Sequence, residues 1–99
     1  MRLTSAHIEI IRRTAREFFG EQVHVTLFGS RVDDRAKGGD VDLLFDVQAP
    51  VDDPALKMAN LSARLSRAMD GRRVDVLISA PNLTDQPIHE IARQTGVAL

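Results

Sequence analysis

Polar and apolar positions follow two different periods along this chain. Near the start, Ile8, Ile11, Ala15 and Phe18 recur every three or four residues, with Arg12, Arg13, Arg16 and Glu17 between them. That spacing predicts an amphipathic helix with one face on a core. Thr4 is placed to cap it, Leu3 and Ile8 occupy hydrophobic-staple positions, and Gly20 ends it. The β-branched and aromatic run at 23–28 predicts a first strand. Residues 40–47 switch to a period of two. Asp40, Asp42, Leu44 and Asp46 fall on one face, and Val41, Leu43, Phe45 and Val47 form a core face. Asp46 is expected at an exposed strand end. Asp53-Pro54 then opens a second long helix, with Met58, Leu61, Leu65 and Met69 as its buried stripe and Asp70-Gly71 at its end. A third strand covers 74–78. A short helix over 86–94 is expected to pack through Ile88, Ile91 and Ala92, with His89 and Glu90 outward and Gly96 as terminator. Residues 97–99 are expected to return to the core.

The connections constrain how these elements assemble. A loop of about ten residues between the first two strands suits antiparallel neighbours. A helix between the second and third suits a right-handed parallel crossover. The expected fold is α/β of the α+β kind, a small mixed sheet in order 1-2-3 flanked by helices. It forms a single domain over residues 1–99.

Composition narrows the function. The formal net charge is -1, so nothing in the balance marks a nucleic-acid footprint. The chain has no cysteine, which excludes thiolate metal sites and thiol nucleophiles. No apolar run is long enough to span a bilayer, and Glu9, Arg12 and Arg13 interrupt any signal-peptide core. A cytoplasmic location is therefore expected.

The residues that suggest chemistry lie in three places. Gly29-Ser30 follows the first strand directly, where glycine permits a sharp turn and close approach, and free backbone N–H groups attract phosphate oxygens. Asp40 and Asp42 share a face at the start of the second strand, although aspartate is a poor strand former. Asp75 stands one residue into the third. In the expected sheet, the end of the first strand and the starts of the other two meet at one edge. Three carboxylates gathered there repel one another, so the cluster points to a cation. Carboxylate oxygens suit Mg²⁺, which takes its other ligands from phosphate and water. Residues 33–39 read as a short helical turn and a glycine-rich loop. Arg31 and Lys37 are candidate phosphate contacts.

Gly29-Ser30, nine residues, Asp40-Val41-Asp42 and an acid on the next strand together resemble the DNA polymerase β-type nucleotidyltransferase superfamily. The small size and the ending Ile88-His89-Glu90-Ile91-Ala92, then Gly96-Val97, are similar to its minimal nucleotidyltransferase (MNT) group. The resemblance covers essentially the whole chain. It implies that Asp40, Asp42 and Asp75 ligate two Mg²⁺ ions, that Asp75 assists deprotonation, and that Gly29 and Ser30 hold the triphosphate of ATP. It further implies an MNT antitoxin that transfers AMP to a tyrosine hydroxyl of a helical HEPN-type ribonuclease toxin from the same operon, within a hetero-oligomer. One departure is Gly39, which stands where many relatives carry serine before the first aspartate. Two other readings are an antitoxin that acts by binding alone and a small-molecule nucleotidylyltransferase. The second suits the chain less, because little surface remains to hold an acceptor.

Overall fold

The computed structural model describes residues 3–29 and 40–99. The elements run α1 (Ser5–Phe19), β1 (His24–Phe28), β2 (Val41–Asp46), α2 (Pro54–Ala68), β3 (Val74–Ser79), α3 (Pro87–Thr95) and β4 (Val97–Ala98). The class is α+β, as the pattern predicts. Among the described residues the sheet has four strands in the order β3-β2-β1-β4, rather than three in the order 1-2-3. The two expected pairings are present within it: β1 with β2 antiparallel, and β2 with β3 parallel across the α2 crossover. The added strand β4 pairs antiparallel with β1, Thr26 opposite Ala98 and Leu27 opposite Val97. Val97 and Ala98 thus extend the sheet while remaining exposed, and of residues 97–99 it is Leu99 that packs against the core.

The main core lies between one sheet face and the helices α1 and α2. Val25, Leu27, Val41, Leu43, Phe45 and Val74 supply the sheet side, with Ile11, Ala15, Leu61, Leu65 and Met69 opposite. The Thr4 side chain accepts a hydrogen bond from the His7 N–H at 3.1 Å, and the Gly20 N–H closes the helix on the Arg16 carbonyl at 2.8 Å. Asp53 is the N-cap of α2, and its carbonyl accepts from the Lys57 N–H at 3.0 Å. It sits in the left-handed region at φ 48°, and its side chain caps nothing. Proline at the first turn still sets the helix direction, because its ring fixes φ and it has no N–H to satisfy.

The opposite sheet face differs more from the predicted pattern. Leu44, read as part of an outer face, is fully buried with Phe28 and Ala92 beneath α3. The phase of α3 is also shifted. Its buried residues are His89 and Ala92, whereas Ile88 and Ile91 are 42% and 51% exposed. The cause is hydrogen bonding. His89 Nδ1 accepts from the Gln86 N–H at 3.0 Å, and its Nε2 lies 3.1 Å from the Ile78 carbonyl. The imidazole therefore satisfies a helix-start donor and a strand acceptor at once, which offsets the cost of burying it. Both bonds are made only if Nδ1 is bare and Nε2 carries the proton. No helix among the described residues is long and apolar enough to cross a membrane.

Candidate functional site

The α3-covered sheet face carries Asp42 and Asp46 from β2 and Asp75 and Ser79 from β3. Asp42 pairs in register with Asp75, and Asp46 with Ser79. Phe28 lies opposite Asp42 on the other side, so Gly29 emerges beside the Asp42 carboxylate. The approach is tight. Gly29 has φ 76°, and a Cβ built there would lie 2.3 Å from Asp42 Oδ2. Only glycine meets both demands, the left-handed backbone and the missing side chain. Asp40 stands one residue before β2, exposed, at the same end. The Val41 N–H donates to the Arg73 carbonyl at 2.9 Å, which fixes the start of β3 beside the Asp40–Asp42 segment.

Gly29, Asp40, Asp42 and Asp75 therefore lie at one end of the sheet, brought there from three places in the sequence. Ser30, Arg31, Lys37 and the turn expected at 33–39 lie outside the described residues. Adjacent strands stand about 4.8 Å apart, so Asp42 and Asp75 are near neighbours on one face.

Sequence reading missed the cation already present. Arg73 Nε donates to Asp75 Oδ1 at 3.1 Å. The Arg73 guanidinium holds its proton more tightly than usual, first through that hydrogen bond and the charge of Asp75, then through the charges of Asp40 and Asp42. The like-charge repulsion expected of three carboxylates is thus partly offset from within the chain. The available signal was Arg72-Arg73 immediately before Val74-Asp75, where a base and an acid two residues apart share a strand face. Among the described residues, no group of three or more His, Cys, Asp or Glu side chains is gathered to hold a metal.

The far end of the same face is built differently. Asp46, expected as an exposed strand end, is instead largely covered and bound by Arg93 Nη2 at 2.8 Å. The same guanidinium donates to Ser79 Oγ at 2.8 Å and to Asp85 Oδ2 at 2.7 Å. Arg93 is held more firmly protonated by Asp46 and then Asp85, and Asp85 is pushed below its ordinary range by the hydrogen bonds from Arg93 and Ser79. This end is a closed ion-pair network tying α3 to the sheet. At the other end, the Asp75 side chain remains 46% exposed and can reach a ligand.

The donor set fits a hard divalent cation, since every candidate ligand is a carboxylate oxygen. The Gly29 backbone lies directly against the Asp42 carboxylate, with no room for a Cβ between them. Scanned against models of protein families the chain matches none, and a search of curated proteins finds no significant match.

Proposed function

We propose that this chain is a Mg²⁺-dependent nucleotidyltransferase that moves AMP from ATP to a hydroxyl of a protein partner. The observation that carries the reading is the register Phe28–Asp42–Asp75, which sets a glycine turn and paired carboxylates side by side at one end of the sheet. Asp40, Asp42 and Asp75 would hold the two Mg²⁺ ions, whose charge would stabilise the entering and leaving oxygens at phosphorus.

The chain's own residues then act as follows. Gly29, with Ser30 beyond it, presents backbone to the triphosphate. Asp75, on an edge strand of the described sheet, takes the proton of an acceptor hydroxyl arriving from solvent. The hydroxyl oxygen bonds to the α-phosphorus as the bond to the bridging oxygen breaks, and pyrophosphate leaves. Catalysis by such a site is mostly positioning and electrostatics. A macromolecular acceptor has somewhere to rest: Ile88, Ile91 and Val97 leave apolar surface on α3 and β4. A helical HEPN-type toxin from the same operon, met in the cytoplasm, is the partner that the sequence resemblance implies.

The test uses ATP labelled on the α-phosphate, Mg²⁺ and the co-expressed helical neighbour. Label should pass to the neighbour with wild-type chain and not with Asp42→Asn, which keeps shape but is a poorer ligand. Transfer by Asp42→Asn at the wild-type rate would show that the site is misplaced. Neutralisation of the neighbour by both proteins without label would identify an antitoxin that acts by binding alone. Label passing to a small molecule would identify the third reading.

A further inference from the structure

We propose that Arg73 is a built-in counter-cation of the carboxylate site, one that a divalent ion must displace from Asp75 in order to bind. The inference rests on the functional reading above and adds to it a residue that tunes metal affinity. Three observations carry it. The Arg73 backbone is pinned at the site by the hydrogen bond from the Val41 N–H to its carbonyl. Its side chain points along the same face and donates from Nε to Asp75 Oδ1 at 3.1 Å. The charges of Asp40 and Asp42 act on the guanidinium in the same direction as that of Asp75.

Exposure makes the pair displaceable. The Arg73 side chain is 73% exposed and that of Asp75 46%, and ion pairs this open to water are weak and screened by salt. By contrast, Arg93 on α3 at the far end is tied to four partners, Asp46, Ser79, Asp85 and Glu90, and its side chain is only 30% exposed. Two arginines on one sheet face thus have opposite designs, one locked and one able to swing away. While Arg73 holds Asp75, the carboxylates are partly neutralised without a metal. When a divalent ion arrives, Arg73 must release Asp75, and its positive charge also opposes the incoming ion. Arg73 therefore lowers the affinity for a bare divalent ion.

The experiment measures Mn²⁺ binding to the whole chain by electron paramagnetic resonance, for wild type, Arg73→Gln, Arg73→Lys and Asp42→Asn. Arg73→Gln should bind Mn²⁺ roughly two- to fivefold more tightly than wild type, the scale of one exposed charge interaction. Arg73→Lys, which keeps the charge, should stay near wild type, and added NaCl should shrink the difference. In EDTA, Arg73→Gln should melt below wild type, because the carboxylates lose their counter-charge. Equal or weaker Mn²⁺ binding by a folded Arg73→Gln overturns the proposal. If Asp42→Asn abolishes binding while Arg73→Gln leaves it unchanged, only the role of Arg73 falls. If wild type binds no Mn²⁺ at all, the carboxylate site falls and Arg73 with it.

Discussion

Substituting Gly29 by alanine tests the close approach on which the site depends. The cost has two parts. At φ 76° an L residue is forced into the left-handed region, which costs about 1–2 kcal/mol. The new methyl would also sit 2.3 Å from Asp42 Oδ2 and 3.2 Å from its Cγ, so the carboxylate must swing. Holding a side chain off its staggered position costs about 0.5–1.5 kcal/mol. Together these give about 1.5–3.5 kcal/mol. In a domain of this size each kcal/mol corresponds to about 4–8 °C, so Tm should fall by roughly 6–28 °C. A double-mutant cycle separates the two parts. Asp42→Ala removes Cγ and Oδ2 and leaves a Cβ at 3.5 Å, which is ordinary contact. The steric part should therefore appear as a coupling of about 1 kcal/mol between the substitutions. The backbone part should persist in both backgrounds. Urea denaturation of the four proteins measures both. A Gly29→Ala protein within about 0.5 kcal/mol of wild type would refute the geometry at Gly29. Strict additivity would show that the Asp42 carboxylate does not lie against it.

Two further outcomes concern α3. Arg93→Met should cost about 1–3 kcal/mol at neutral pH, because Asp46 and Ser79 lose a charged donor. Asp85 titrates lower in the folded state than in the unfolded chain, so its contribution is complete above about pH 4 and is lost as pH falls through the depressed value. The gap between wild type and Arg93→Met in urea should accordingly narrow as pH is lowered from about 4, and a pH-independent gap would contradict that linkage. His89→Leu should destabilise by about 1–3 kcal/mol despite its greater hydrophobicity, since the Gln86 N–H and the Ile78 carbonyl both lose their partner. Faster amide exchange at the start of α3 would accompany the loss, and a neutral or stabilising result would show those bonds to be worth little.

Much of this molecule was legible in its sequence, for a local reason. Stripes such as Ile8, Ile11 and Ala15, or Leu61 and Leu65, and the alternation along 41–47 report which side of one element is buried, and that depends only on the element's own period. Connection lengths were enough to make β1 antiparallel and β3 parallel to β2, and so to bring Gly29, Asp40, Asp42 and Asp75 to one end. What the tertiary structure alone decided involves partners distant in sequence. Strand β4 has only two residues and exists because β1 offers a free edge. Leu44 is buried because α3 crosses that face, and α3 turns His89 inward because the Ile78 carbonyl needs a donor. Asp46 finds Arg93 47 residues away. Arg73 is close to Asp75 in sequence, yet the influence of Asp40 and Asp42 on it follows from the parallel register that sets β2 beside β3. Hydrophobic period is written within each segment, whereas the pairing of charges and buried polar atoms is settled only when the segments meet.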